Sequence, residues 1–307
     1  MTDYEIRPAR TDDDLARNVE IHNVVRPRDV VAVADARSFI EQTQANAAYT
    51  AFVDDDAVAA ARVALLHDRA EPIADVLVLD THRRRGIGSG LYAQVSEWIR
   101  ARGFSVVDVV VEEDDRDGLA FATNRGFREI GREIRVVLDL RTQTPVVAPP
   151  PDGIEIVTWA DRPDVVRGMY DVAVEAFRDI PGDENEPVLS FERWLADHMQ
   201  GSGDRPEATF VALHRDEVVG YSKFSFTTSQ PTTAHHDLTG VKRAWRGRGI
   251  ARALKSVQIE WARRNGYERL VTRNEERNAP IRRLNEEFGY RRDSVRLTMR
   301  GPVSAAT

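Results

Sequence analysis

The strongest constraint in this sequence is an internal repeat, in which matching residues recur at one constant spacing without a gap. The second copy follows the first by 163 positions, and the match extends over about fifty residues. Such a repeat is typical of a duplicated structural unit. The matched pairs include Val78 and Val241, Arg83 and Arg246, Gly86 and Gly249, Leu91 and Leu254, Trp98 and Trp261, and Gly126 and Gly289. Because 307 residues also suit two domains of ordinary size, the sequence predicts two similar domains in tandem.

A proline-rich segment at 145–153 separates the two copies. It contains four prolines, which cannot continue a helix or take part in a central strand. The copies begin alike at Ile6 and Ile156, but this pair is only 150 positions apart. The second copy therefore carries extra residues in its first half, which we place near Pro181–Pro187. We predict an N-terminal domain at 1–144, a linker at 145–153 and a C-terminal domain at 154–307.

Composition narrows the class of protein. The net charge of −7 argues against general nucleic-acid binding, which needs a basic surface. The absence of cysteine excludes disulfides and thiolate metal sites, and the histidines lack the spacing of metal ligands. No apolar run is long enough to span a membrane, and the acidic N-terminus is unlike a secretory signal. We therefore expect a cytoplasmic protein without a metal, and the preference for arginine over lysine suggests a bacterial source.

Each copy reads as a mixture of strands and helices. Apolar runs such as Val106–Val111 are typical of buried strands. After each glycine-rich segment, apolar residues recur on one helical face, as Ile87, Leu91 and Val95 do. The order in each copy, with strands on both sides of a glycine turn and a helix, predicts an α/β (α+β) fold.

The glycine-rich segments lie between a predicted strand and a predicted helix in both copies. Such a junction turns backbone N–H groups and the positive end of a helix dipole toward one point, which favours a phosphate group. The arginines add attraction for an anion. A tight turn that needs glycine for φ > 0 is the alternative for one loop, but its recurrence favours a phosphate site. The first loop is Arg83-Arg84-Arg85-Gly86-Ile87-Gly88, and the second is Arg246-Gly247-Arg248-Gly249-Ile250-Ala251.

Both loops resemble the Arg/Gln-x-x-Gly-x-Gly/Ala element of the GNAT superfamily of N-acetyltransferases, with Val78 and Val241 on the preceding strands. In the second copy the resemblance continues from Asn278 to Tyr290. It implies two tandem GNAT folds, each a mixed, mostly antiparallel twisted sheet flanked by helices. It also implies that acetyl-CoA, or another acyl-CoA, is the donor, with its pyrophosphate on the loops and its pantetheine near Asn278. A primary amine, in a small molecule or a peptide, would be the acceptor.

The sequence departs from the family pattern at the tyrosine that protonates the leaving thiolate in many members. That position holds Ala122 in the first copy and Asn285 in the second, and neither can act as an acid. The position of the cofactor-binding asparagine holds Asp115 in the first copy and Asn278 in the second. The first copy therefore lacks two of the family's residues and the second lacks one. This difference predicts a catalytic C-terminal domain and a degenerate N-terminal domain.

The segment from Ala234 to Val241 carries the candidates for a general base. Amine acetylation needs a group that takes a proton from the incoming ammonium and a donor that stabilises the oxyanion. By alternation His235 and Asp237 share one face of the strand and His236 takes the other, unless a bulge exchanges them. His235 also falls where histone-type members carry a glutamate base, so we predict His235 and Asp237 as catalytic. The alternative is a structural histidine pair, and the family's backbone donor would lie within 238–241.

Two other functions stay open at this stage. The missing tyrosine in both copies is also expected of a non-catalytic protein that binds or senses acyl-CoA. In a third interpretation, the first copy is the active one. The sequence does not identify the acceptor, and two similar domains in one chain suit a monomer or a homodimer. Neither nucleic acid nor a membrane is expected as a partner.

Overall fold

The computed structural model describes residues 4–143, 146–182 and 184–305, in two compact units. Unit 1 consists of Met1–Arg132 and Arg296–Thr307, and unit 2 consists of Glu133–Val295. Within the described ranges, no helix is long and apolar enough to cross a membrane.

Unit 1 is a mixed sheet with helices from the first copy. Its strands follow the order β1-β2-β3-β4-β5-β12, and every pair is antiparallel except the parallel pair β4–β5. The elements are β1 (Glu5–Pro8), α1 (Asp12–Val25), α2 (Val33–Glu41), β2 (Ala45–Val53), β3 (Asp56–Leu65), β4 (Ile73–Val78), α3 (Ile87–Arg100), β5 (Val106–Glu112), α4 (Arg116–Thr123) and β12 (Arg291–Pro302).

Unit 2 has the same order of elements. Its strands follow the order β6-β11-β10-β9-β8-β7, again with one parallel pair, β10–β11. The elements are β6 (Arg128–Asp139), β7 (Ile154–Thr158), α5 (Val166–Arg178), α6 (Phe191–Met199), β8 (Asp204–His214), β9 (Glu217–Phe226), β10 (Thr233–Val241), α7 (Ile250–Arg264), β11 (Arg269–Glu275) and α8 (Ala279–Glu287). The predicted mixed, mostly antiparallel sheet flanked by helices is confirmed in each unit.

The last strand of each copy completes the sheet of the other copy's unit. In unit 2, Glu133–Asp139 of β6 pair with all of β11, although β6 precedes the proline-rich segment. In unit 1, Arg296–Pro302 of β12 pair with β5. The compact units therefore differ in composition from the ranges 1–144 and 154–307. The reason is that an exchanged strand forms the same backbone hydrogen bonds as a strand of the same copy would, so the repeat does not reveal the exchange.

The strands of unit 2 that carry the candidate site are covered on both faces. β9 is buried along nearly its whole length, which suits its run of apolar and aromatic residues. One face packs against α5 and α6 around the fully buried Trp194, and the other packs against α7 around Leu254. A side-chain cap fixes the start of α6, where the Ser190 side chain accepts a hydrogen bond from the N–H of Arg193. The sheet is thus a rigid base for the residues at the end of β10.

Candidate functional site

The parallel strands at the centre of each unit pair only at their beginnings and then separate. In unit 2, β10 and β11 pair from Thr233 to His235 in the described register, and both strands continue beyond that point. In unit 1, β4 and β5 pair only at Ile73 and Ala74. We refer to the point of separation as the fork of each unit. A fork leaves backbone groups on both strands available to a ligand that enters between them.

A β-bulge lies at the fork of unit 2. The register between β10 and β9 shifts between His236 and Leu238, so that Asp237 has no opposite residue on β9 in this register. The strict alternation of faces is broken here, as the sequence had left open. His236 packs toward Tyr290, whereas Leu238 joins the apolar cluster of α5 and α6. A bulge leaves a backbone N–H outside the ladder, and this N–H can serve as an oxyanion donor.

The carboxylate of Asp237 lies on the α5–α6 side of the fork with a buried lysine. It accepts a hydrogen bond from Ser225 Oγ at 2.7 Å and pairs with Lys223 Nζ at 3.2 Å. Burial by itself would lower the pKa of Lys223, but Asp237 and Asp204 together raise it above its ordinary value. The Asp237 side chain stays 39% exposed, so it is accessible from solvent. His235, two positions earlier on β10, is half-buried.

In each loop, the side chain of the first arginine forms a hydrogen bond with the end of the preceding strand. Nε of Arg83 donates to the carbonyl of Val78 at 3.2 Å, and Nε of Arg246 donates to the carbonyl of Val241 at 2.9 Å. This shared contact explains why arginine and valine recur five positions apart in both copies. The repetition of the pattern therefore has a structural cause as well as the predicted ligand-binding one.

The loops leave an open space before their helices. Gly249 precedes α7 with φ of +84°, a conformation that favours glycine, and no side chain caps the first N–H groups of α7. A Cβ built on Gly247 would meet nothing within 4 Å, and the same holds for Gly86 in the first loop. Free helical N–H groups facing open space fit a phosphate group. The residues therefore suit the diphosphate of an acyl-CoA.

Aspartates surround the first loop. Arg83 pairs with Asp80 at 3.0 Å and with Asp115 at 3.1 Å, and Arg84 lies 3.6 Å from Asp117. Asp115 also accepts the N–H of Gly118 and thereby caps α4. The carboxylates neutralise the arginines that would otherwise attract a diphosphate.

The second loop lacks these acidic neighbours at the matching positions, which hold Arg243, Asn278 and Pro280. Asn278 precedes α8, and its side chain forms no capping hydrogen bond, so its amide is available to a ligand. The second loop is thus the more favourable of the two for an anion.

The fork of unit 1 is bridged by a side chain. Arg26, just after α1, donates to the Asp75 carboxylate on β4 at 2.8 Å and to the Val110 carbonyl on β5 at 2.9 Å. Burial would raise the pKa of Asp75, but Arg26 and Arg62 hold it far below its ordinary value. A cavity of about 760 Å³ lies beside this bridge, lined by β4, β5 and the first loop. Unit 1 therefore offers space for a ligand, but the Arg26 side chain bridges the two strands of its fork.

Asp179, just after α5, pairs with one arginine of the second loop and with one arginine that precedes the loop. Its carboxylate pairs with Arg243 and with Arg246, each at 2.7 Å. The hydrogen bond from Arg243 holds the pKa of Asp179 below its ordinary value, so it is ionised at neutral pH. An incoming diphosphate would have to replace this carboxylate.

We predict that Asp179→Asn tightens the binding of CoA by about 3- to 5-fold. The reason is that the diphosphate no longer has to displace a carboxylate from a partly exposed ion pair. The change should be seen by calorimetry with CoA and not with pantetheine, which has no diphosphate. Asp164→Asn, which removes the exposed partner of Arg162, is the matched control. An equal effect on pantetheine would contradict competition at the loop.

A buried polar cluster on the α7 side of β10 was not predicted from the sequence. Tyr290 Oη and His236 Nε2 are hydrogen-bonded, and Lys255 Nζ lies 4.9 Å from the centre of the Tyr290 ring. Burial raises the pKa of Tyr290 and lowers the pKa of Lys255 to about 7. Burial and Lys255 together lower the pKa of His236 well below its ordinary value. The sequence signal was that the first copy has Ile73 and Phe127 where the second has His236 and Tyr290.

The comparison with known proteins agrees with this geometry. The model of the acetyltransferase (GNAT) family matches residues 18–127 and 166–290, more than half of the chain. The chain belongs to this family and is an N-acetyltransferase of the GNAT type, which confirms the resemblance of the loops. Within the described residues, no group of three or more histidine and acidic side chains could hold a metal ion.

Several known proteins are similar to this chain over most of its length. The mycothiol acetyltransferase of Catenulispora acidiphila is 27% identical over 232 residues, which cover 73% of this chain and 70% of that protein. The mycothiol acetyltransferase of a Parafrankia species is 26% identical over 269 residues, or 75% and 76% of the two chains. A tandem GNAT protein from the clavulanic acid biosynthesis pathway superposes with a TM-score of 0.80 at 22% identity, covering 99% of this chain and 100% of that one. This last likeness shows the fold alone.

Proposed function

We propose that the chain is an acyl-CoA-dependent N-acyltransferase whose active site is the fork of unit 2. The acyl group expected is acetyl, passed from acetyl-CoA directly to a primary amine while both substrates are bound. The carrying observation is the bulge in β10, which interrupts the pairing with β9 at Asp237, next to the fork. We assign the oxyanion donor to a backbone N–H at this bulge. In unit 1, β4 pairs with β3 in unbroken register from Ile73 to Val78, and Arg26 bridges the fork.

The second loop would hold the diphosphate of the donor. Its helical N–H groups supply the main contacts, and Arg246, Arg248 and the neighbouring Arg243 supply positive charge. Asn278 would bind the pantetheine, since its amide is not used to cap α8. The bound donor supplies a thioester carbonyl to the fork. The bulge N–H would stabilise negative charge on that carbonyl oxygen as the amine attacks. When the tetrahedral intermediate collapses, the new C–N bond stays, the C–S bond breaks, and CoA leaves as a thiolate that takes its proton from water.

Asp237 and His235 are the proposed proton acceptors for the amine. Asp237 is the better placed, because its carboxylate is at the bulge and partly exposed. One oxygen of the carboxylate pairs with Lys223, and the other accepts the hydrogen bond from Ser225. Together with Asp204, this carboxylate gives the α5–α6 side of the fork an affinity for a cationic acceptor, either a small amine or a peptide. The acceptor of the mycothiol acetyltransferases belongs in the panel to be tested.

The first loop and the cavity of unit 1 would bind an acyl-CoA without turnover, or bind it weakly. The aspartates around Arg83 reduce the attraction for the diphosphate, but the cavity is large enough for a substrate. The alternative function is a protein that binds or senses acyl-CoA in both units and carries out no reaction.

The test is calorimetry with acetyl-CoA and an assay of thiol release over an amine panel, on the unmodified chain and on Gly88→Glu and Ala251→Glu. Each variant places a carboxylate in one loop and controls for the other. We expect Ala251→Glu to abolish turnover and the tighter binding site, and Gly88→Glu to retain turnover. Loss of turnover in Gly88→Glu alone would move the active site to unit 1. Binding without thiol release from any amine would favour the sensing alternative, and no binding would remove the acetyl donor.

A further inference from the structure

His236 and Tyr290 form a buried polar pair beside the β10 bulge. Their side chains are hydrogen-bonded, and the residues are only 6% and 5% exposed. The His236 ring also packs against Phe224, with ring centres 4.4 Å apart. Burial of two polar rings has a desolvation cost that one hydrogen bond offsets only in part. Two apolar side chains would fill this core equally well, so packing does not explain the pair.

The pair holds the residue that precedes the bulge. His236 is the first residue of β10 after the segment paired with β11 and the last before Asp237. Its carbonyl accepts a hydrogen bond from Thr272 Oγ1 of β11 at 3.2 Å. The backbone of His236 is therefore held from β11 and its side chain is held by Tyr290. On the other side of the bulge, Leu238 is anchored in the apolar cluster of α5 and α6.

The first copy gives an internal comparison. The positions that match His236 and Tyr290 hold Ile73 and Phe127, which cannot form such a hydrogen bond. In that copy β4 pairs regularly with β3 and has no bulge in the described register. The copy with the polar pair has the bulge, and the copy with the apolar pair does not.

We propose that the hydrogen bond between His236 and Tyr290 positions the β10 bulge and keeps its backbone donor in place for the reaction. The pair acts through Asp237 and its neighbours and touches no substrate, so these are positioning residues. The assignment rests on the proposed function of unit 2. Loss of this hydrogen bond should therefore slow acyl transfer and change the binding of either substrate only slightly.

The test uses Tyr290→Phe, His236→Ile and the double variant, which together install the residues of the first copy. We expect kcat to fall by about 10- to 100-fold in each single variant, with the Kd for CoA and the KM for the amine within about 2-fold. The double variant should lose no more than a single one, because either change removes the same bond. Tyr267→Phe, which removes a hydroxyl bonded to Arg205 in the same unit, should leave kcat unchanged.

Hydrogen exchange of the free protein separates this proposal from the proposed function. In Tyr290→Phe, backbone amides of β10 around Asp237 should exchange faster than in the unmodified chain, while those of β4 should not change. Unchanged exchange in β10 would overturn the positioning role whatever the turnover. Faster exchange with unchanged kcat would overturn its importance for the reaction. If exchange is faster in the variant but the unmodified chain transfers no acyl group, the pair still positions the bulge and the proposed function is wrong.

Discussion

Asp237→Asn is expected to lower kcat by about 100-fold or more while acetyl-CoA still binds. The amide keeps the shape of the side chain and can still accept the hydrogen bond from Ser225. It cannot take a proton from the amine, and it removes one of the two carboxylates that pair with Lys223. The measurement is the steady-state rate of thiol release with an amine substrate, together with calorimetry of acetyl-CoA.

The control for Asp237→Asn is Asp164→Asn, an equal change of charge on an exposed part of unit 2. His235→Gln, measured in parallel, distinguishes the two proposed bases. If kcat is normal in Asp237→Asn and falls in His235→Gln, the base is His235. If neither variant loses activity, both assignments are wrong, and a water-filled path to another carboxylate such as Asp204 has to be considered.

Lys255→Met is expected to raise the free energy of unfolding at pH 7, and the gain should shrink as the pH approaches 10. Lys255 is 1% exposed, and burial lowers its pKa from 10.5 to about 7. Between these values the unfolded chain binds a proton that the folded chain does not, so stability rises with pH by up to about 1.4 kcal/mol per unit. Methionine has a similar shape and no proton to bind, and should therefore stabilise the fold by about 2–4 kcal/mol at neutral pH.

The measurement for Lys255→Met is urea unfolding at several pH values, with the difference between variant and unmodified chain plotted against pH. Lys242→Met is the control, because it makes the same substitution at a lysine that pairs with Glu217 and is not enclosed in the core. A difference that does not depend on pH would mean that Lys255 is charged in the folded protein, stabilised by the His236–Tyr290 pair that faces it.

The resemblance of the loops gave the family, the mixed sheet and the tandem arrangement correctly. These features are accessible to the sequence because they depend on short local patterns, such as the arginine that bonds the valine carbonyl five residues before it. The same patterns cannot show which copy is active. That choice depends on groups brought to the fork from distant parts of the chain, such as Arg26 in unit 1 and Tyr290 in unit 2.

The sequence by itself determined the duplication, the two glycine loops and the loss of the family's tyrosine at Ala122 and Asn285. Each follows from residue identity at a fixed spacing, which needs no knowledge of long-range contacts. Only the tertiary structure decided the exchange of β6 and β12, the bulge at Asp237 and the bridge of Arg26 across the fork of unit 1. The physical reason is that strand pairing and buried hydrogen bonds are satisfied equally well by partners near or far in the chain, so their energies do not appear in any local pattern.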